Sequence, residues 1–311
     1  MATSTATKVE APPVDPAKKK IQRKHAWTAR GLLMPAFIFL LVLTQIPFLF
    51  TIGFSMMNWN LLYPAERGFT GLDNYKAALT SGALWPSIVA TVLITAFSVV
   101  LSLLFGLLFA VLLDRNLPGR AIARTLVITP FLIMPAAASL IWKYSMFDTN
   151  IGMLNWAFDL VGLPKVSWST EHPMATVVIV LTWMFTPFMM LILLAGLQGQ
   201  SKETLEAAQV DGAGAWRTFT WITLPHLRMY VEIGTLLGSV IILQVFDPIA
   251  ILTKGTGGTK TLAYLLYERA FIGLNVGEAA AYGVVTVILT IIVATIALKT
   301  TFKVFMAGGS R

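Results

Sequence analysis

The side chains able to do chemistry in this chain are few and scattered. Its three histidines, His25, His172 and His226, stand far apart, one in the N-terminal stretch and two at loop edges, and there is no cysteine. A thiolate nucleophile, a Cys-based metal site and a disulfide framework are therefore excluded. The clustered His, Asp or Glu that an enzyme embedded in a membrane would need is also missing. No G-x-x-x-x-G-K-[ST] stretch occurs, so nucleotide chemistry is not expected of this chain. What remains are isolated groups inside long apolar runs. Glu232 and Asp247 are the ionisable ones, and an ionisable residue at membrane depth is a functional candidate by default. Asp247 lies 18 residues beyond Met229. On a continuous helix that is about 27 Å, close to the far interface. There it either touches a solute or orients the outer loop. Gln244, one turn lower, can hydrogen-bond a sugar hydroxyl or a neighbouring helix. Trp183 and Phe185 precede Pro187, and Phe246 precedes Asp247. Aromatic faces at these places stack on sugar rings or pack the bundle. Asn150, Asn155 and Lys143 lie at the outer mouth, and Glu232 is expected to be a structural partner. The chemistry on offer is binding of a neutral, hydroxyl-rich solute by amides, hydroxyls and aromatic faces.

The elements that must position these groups follow from composition. The chain has 311 residues, 56% apolar and only 12% charged, with a mean hydropathy of +0.74. Soluble domains carry about 25% charged residues, so a water-soluble fold and a disordered chain are both excluded. Six apolar runs reach the roughly 20 residues needed to span a bilayer. They cover about 31–55, 85–113, 125–142, 174–198, 229–252 and 282–298. The first is too long for a signal h-region and follows thirty residues, so it is expected to be retained. The fold class is therefore all-α, a polytopic membrane protein with six spans. Residues 1–30 form a basic tail expected to be disordered, most clearly over the Ala/Thr/Pro-rich 1–17, and residues 31–311 form the membrane domain. With the N-terminus inside, 16 of the 23 Lys and Arg fall in 1–30, 114–124, 199–228 and 299–311. That bias puts both termini in the cytoplasm. The excess basicity is then topological, and no nucleic acid is implied. Two outer pieces, 68–79 and 150–164, have short apolar periodicity suited to lying along a membrane surface.

One inner loop, 201–228, is patterned as helix, turn, helix. Ser201 is a plausible N-cap with Glu203 in the first turn. Leu205, Ala208 and Gln209 share a face, Asp211-Gly212 breaks the helix, and Pro225 ends a second periodic piece. Trp216, Phe219 and Ile222 are expected to hold this knob to the bundle, leaving the elbow free to enter a partner's groove.

The loop carries a resemblance. Glu206-Ala207-Ala208, three residues, Gly212, nine residues, Ile222, one residue and Leu224-Pro225 resemble the EAA loop of ABC importer permeases, with all seven fixed positions matched. Asp211 and Ala213 complete the common EAAxxDGA form. From about Gly31 to Leu298 the chain is similar to the larger-type membrane subunit of carbohydrate importers of the maltose and glycerol-phosphate type. The stretches that carry this are FTGLDNY (69–75), 117–146, IGMLNW (151–156) and FDPIAILT (246–253). NLLYP (60–64), LEAAQVDGAG (205–214) and NVGEAAAYGVV (275–285) look most like the polyol (sorbitol/mannitol) type. The family often has a Pro after the Gly-Gly that follows span five, whereas Thr259 follows Gly257-Gly258 here.

The resemblance implies a type I ABC importer permease fold in the bacterial inner membrane. It implies a heterodimer with a second related permease, two cytoplasmic ATPase subunits holding ATP and Mg, an external solute-binding protein, and no cofactor in this chain. Glu206, Ala207, Ala208, Asp211, Gly212 and Ala213 would form the ATPase-coupling elbow, with Glu206 either pairing with a basic residue of the ATPase or stabilising its own helix terminus by about 0.3–1 kcal/mol. Trp183, Phe185, Gln244, Phe246, Asp247 and Asn150 would line the solute path. An ion-coupled secondary transporter is the rival class, but it usually carries paired membrane acids or more spans, and it leaves the EAA loop unexplained.

Overall fold

Charge-free stretches as long as 77–113 favour helix in an apolar solvent, because a helix satisfies every backbone donor and acceptor within the segment. The computed structural model describes residues 16–115 and 118–306 and is built almost entirely this way. The helices are α1 (Pro16–Ser55), α2 (Asp73–Thr80), α3 (Leu84–Asp114), α4 (Arg120–Leu132), α5 (Pro135–Ile141), α6 (Met153–Leu160), α7 (Trp168–Glu171), α8 (Pro173–Gln198), α9 (Lys202–Val210), α10 (Ala215–Thr218), α11 (Leu224–His226), α12 (Arg228–Leu243), α13 (Leu262–Tyr267) and α14 (Val276–Met306). Residues up to Thr51 form one unit and Ile52 onward a second. In the first unit α1 begins at Pro16, so 16–30 is helical backbone and not the disordered tail expected for 1–30. Proline suits a first helical position, and the Lys- and Ala-rich turn that follows favours helix. The expectation of disorder over 1–15 lies outside the described residues.

Among the described residues four helices are long and apolar enough to cross a membrane unbroken, those at 33–55, 84–114, 173–198 and 276–297. Two bent pairs, Arg120–Leu132 with Pro135–Met146 and Ala215–His226 with Arg228–Leu243, bring the number to as many as six if each pair is one span. The third run, expected over 125–142, is not one continuous helix. It bends by 103° between α4 and the α5 segment that ends at Met146. Pro135 forces Met134 into an extended conformation, and Ile133 is extended too. The fifth run, expected over 229–252, stops at Leu243 after 16 residues, about 24 Å. It resumes as a separate π-turn at Ile249–Thr253. Pro248 has no N–H to continue the ladder.

The core of the second unit is the contact of α3 with α8 and α12. A Cβ at Gly106 of α3 would stand 2.8 Å from Met189 Cβ and 2.9 Å from the Met190 backbone nitrogen. Met189 is fully buried and also fills the space that a side chain at Gly238 of α12 would occupy. Small residues admitting close backbone approach are how membrane helices gain packing energy without a hydrophobic driving force between them. The face of α3 so buried carries Ser87, Thr91, Thr95, Ser98 and Ser102. Thr91 Oγ1 accepts from the Leu262 backbone at 2.9 Å, which ties α3 to the start of α13.

Beyond the Leu84 end of α3, a two-stranded ladder pairs Met57 with Phe69 and Asn58 with Gly68. Asn60 bridges Asn275, and Gly277 donates to the Trp59 carbonyl at 3.1 Å. The two pieces with short apolar periodicity, 68–79 and 150–164, each carry a short helix, α2 and α6.

Candidate coupling elbow and translocation path

The loop 201–228 folds from its caps inward. Ser201 Oγ accepts from the Thr204 backbone, closing the start of α9. At the other end Gly212 N–H donates to the Gln209 carbonyl at 3.0 Å and Ala213 N–H to the Ala208 carbonyl at 2.9 Å. This pair of bonds is a Schellman motif, which needs a left-handed residue at its centre. Gly212 supplies it with φ +76, so the glycine that the pattern demands is a geometric requirement. Glu206, Ala207, Asp211 and Gly212 are exposed, Ala208 is buried and Ala213 half-buried. The expected apolar face is thus narrower than Leu205, Ala208 and Gln209, since Gln209 is exposed.

The return arm does not end at Pro225. A π-turn spans Phe219–Thr223, where the Leu224 N–H reaches back to the Phe219 carbonyl, and helix continues to His226. Proline cannot donate to the Trp221 carbonyl, so the ladder widens by one residue ahead of it. Phe219 and Ile222 are half-buried, but Trp216 is 78% exposed and does not hold the knob to the bundle as expected. That work falls to Leu227, which is fully buried, and to Tyr230, both against Gly196 of α8. His226 Nε2 lies 3.0 Å from the Gly196 carbonyl oxygen. Glu232 pairs with Arg228 at 2.9 Å, as a structural partner should.

The six solute-path candidates separate. Trp183 lines a cavity of about 550 Å³ between α3, α4 and α8, with Phe105, Pro130, Thr182, Thr186 and Pro187 on its walls. Its indole packs edge-on against Trp142 at 5.6 Å. Thr186 Oγ1 donates to the Thr182 carbonyl at 2.7 Å. Phe185 instead points into the core, 6% exposed, against Phe131. Gln244 is exposed and Phe246 and Asp247 are half-buried. All three occupy the break after α12, so the 27 Å continuous-helix placement of Asp247 fails. Phe246 stacks on Tyr264 at 6.1 Å and meets Tyr267 at 4.8 Å. These tyrosines are partners that residue-type reasoning missed, although their i, i+3 spacing in TLAYLLY was visible. Asn150 sits on a separate loop. Its backbone N–H donates to Asp148 Oδ1 at 2.8 Å, as does that of Ile151 at 3.1 Å. The two backbone donors, Ile151 foremost, hold the Asp148 carboxyl below the usual carboxylate value. Asn155, fully buried, staples Asp148 to Val166 by bonds of 2.9–3.0 Å. Lys143 Nζ donates to the Ile251 carbonyl at 2.8 Å, joining the bent third run to the π-turn after α12. Asn155 and Lys143 are therefore scaffold. Among the described residues no group of three or more His, Asp or Glu is arranged to hold a metal.

The family model described as "Binding-protein-dependent transport system inner membrane component" matches residues 102–304. The chain belongs to this family. The permease is 33% identical over 279 residues to the probable ABC transporter permease protein y4oQ of Sinorhizobium fredii, covering 88% of this chain and 90% of that one. It is 33% identical over 269 residues to the trehalose transport system permease protein SugA of Mycobacterium tuberculosis, covering 86% of each. Its fold matches a bacterial alginate ABC transporter solved with an alginate pentasaccharide-bound periplasmic protein, with a TM-score of 0.74 and 21% identity over 92% of this chain and 97% of that one. The type I ABC importer permease fold is thereby established, and the protein is a membrane-spanning permease subunit of an ABC transporter.

Proposed function

We propose that the permease forms half of the path by which an ATP-driven importer takes up a carbohydrate-type solute, a polyol such as sorbitol or mannitol or a sugar. An extracytoplasmic binding protein delivers the solute, and the second half is a related permease. Two cytoplasmic ATPase subunits holding ATP and Mg engage the elbow, and both termini face the cytoplasm of a bacterial inner membrane. The observation that carries this reading is the elbow itself. Every fixed position of the EAA pattern lies in an exposed helix–Schellman turn–helix whose base is locked to α8 through Leu227 and Tyr230. A rigid lever of this kind transmits a push from a docked partner into the bundle without being absorbed by a flexible loop.

The solute class is supported by the trehalose of one relative's name and the alginate of the solved neighbour's. Within the chain it is supported by Trp183 and its threonines, and by Phe246, Gln244 and Asp247 at the break. None of these concentrates charge, which suits a neutral polyhydroxyl solute. A disaccharide, a glycerol-linked sugar or an anionic sugar are the alternatives within the class.

The test is uptake into proteoliposomes holding the reconstituted subunits. Transport is expected to need both ATP and the binding protein, and uptake driven by an ion gradient alone overturns the reading. Glu206→Ala is expected to abolish co-purification of the ATPase with the permease. Intact assembly and uptake in Glu206→Ala and Gly212→Pro would overturn the coupling role. Thermal-shift screening of the cognate binding protein with polyols and sugars identifies the solute.

A further inference from the structure

The foot of α12 carries two tryptophans that the bundle does not use. Trp216 is 78% exposed and Trp221 74% exposed, and a bare indole carries a large apolar area with one polar N–H. Trp221 shares a side of its helix with Arg217, four residues before, and Pro225, four residues after, and all three are exposed. Four-residue spacing, with Trp221 at the middle of the wider π-turn Phe219–Thr223, keeps them on one side. The other side holds buried Thr223 and Leu227.

Their depth follows from the bend. The helix Ala215–His226 meets α12 at 57°. Six residues separate Trp221 from Leu227, about 9 Å of helix, of which roughly 5 Å projects along the axis of α12. By the same measure Trp216 lies about 9 Å beyond the foot. Arg228 marks that foot, because the run that follows is apolar apart from Glu232, which Arg228 itself neutralises. The headgroup layer on each side of a bilayer is about 5–8 Å thick. Trp221 therefore falls inside that layer and Trp216 at its aqueous edge, with a guanidinium between them in sequence. Tryptophan is enriched at this level because its ring is apolar and its N–H seeks a partner. Oblique amphipathic helices with basic and aromatic residues bind there.

We propose that the Arg217–Trp221–Pro225 face is seated in the phospholipid headgroup layer at the foot of α12, with Trp221 as the anchor and Arg217 against lipid phosphate. The elbow 206–213 is then held at a fixed height off the membrane by lipid as well as by α8. The inference rests on the membrane-spanning fold and not on the solute or the ATPase reading.

Because the chain has no cysteine, single variants can be spin-labelled cleanly. Trp221→Cys and Val210→Cys, the latter at an 87% exposed elbow position, are labelled in the permease assembled with cysteine-free partner subunits in phospholipid nanodiscs. Collision with molecular oxygen and with a water-soluble nickel chelate is then measured. At 221 oxygen is expected to dominate, and at 210 the nickel chelate, so the ratio reverses between them. Nickel dominating at 221 as at 210 overturns the proposal. So does a label at 221 that neither reagent reaches, since a protein partner then covers the face. Arg217→Cys repeats the measurement should Trp221→Cys not assemble, with the same two outcomes. The readout needs no transport, so a permease that imported nothing would still report its depth.

Discussion

Gly212 is where a single atom decides the shape of the elbow. Its φ of +76 lies where a Cβ crowds the backbone, at a cost of about 1–2 kcal/mol for an ordinary residue. Nothing else stands near that Cβ position, so Gly212→Ala is expected to strain the turn without a clash. It should therefore lower the stimulation of ATPase activity by loaded binding protein while the permease still inserts and assembles. Wild-type coupling in Gly212→Ala would show that the left-handed turn is dispensable. Asp148 shows residue-scale electrostatics on the opposite face of the molecule's task. Its carboxylate accepts two backbone N–H groups, so its pKa is lowered in the folded state. A group with a depressed folded pKa stabilises above its unfolded value, and that contribution is lost as pH falls through the folded one. The effect should therefore appear only below the ordinary value of 3.8. Hydrogen exchange at the Asn150 and Ile151 amides is expected to lose protection in that acid range and nowhere above it. Asp148→Asn should reduce the protection at neutral pH and remove its acid dependence.

At the scale of elements, the organising contact is the Met189 knob between α3, α8 and α12. Gly106→Ala places a methyl 2.8 Å from Met189 Cβ and 2.9 Å from backbone nitrogen. Backbone cannot swing aside as a flexible side chain can, so the helices must separate. Overpacking of this kind costs about 1–3 kcal/mol. Thermal unfolding in detergent should show a lower midpoint for Gly106→Ala, and an unchanged midpoint would mean that the helices approach less closely than this. Gly31, with nothing within 4 Å of its Cβ position, is the matching control. The same scale explains two of the interrupted apolar runs. Pro135 and Pro248 each break a continuous apolar stretch where hydropathy alone sees one span. Irregular backbone at membrane depth is tolerated where protein buries it or a water-filled cavity meets it. The break at Pro248 meets the first condition, since Pro248 and Ile249 are buried, Lys143 donates to the Ile251 carbonyl and Thr253 bonds Thr259 at 2.6 Å.

For the molecule as a whole, the division of labour between sequence and tertiary structure follows the range of the forces involved. Class, a count of up to six apolar runs and the helix–turn–helix shape of 201–228 were legible because each rests on local physics. A charge-free run must be helix in lipid, and a Schellman turn needs its glycine at one position. The π-turn ahead of Pro225 and the early stop of α12 were legible in principle from the prolines, but the apolar pattern around them pointed the other way. The path residues were not legible. Trp183 and Phe185 are two positions apart on one helix, yet one faces a cavity and the other the core, and only the neighbours α3 and α4 decide which. The depth of Asp247 does not follow from the residue count, because α12 ends four residues before it. The apolarity of Trp216 suggests packing, whereas the contact with the bundle is made by Leu227 and Tyr230, whose partner Gly196 lies 30 residues or more away in sequence. What the sequence by itself determined is therefore that this chain spans a membrane and presents one patterned elbow, because solvent transfer and capping act within a turn or two. What only the tertiary structure decided is which aromatic, amide and acid share a space, because that depends on where distant helices cross.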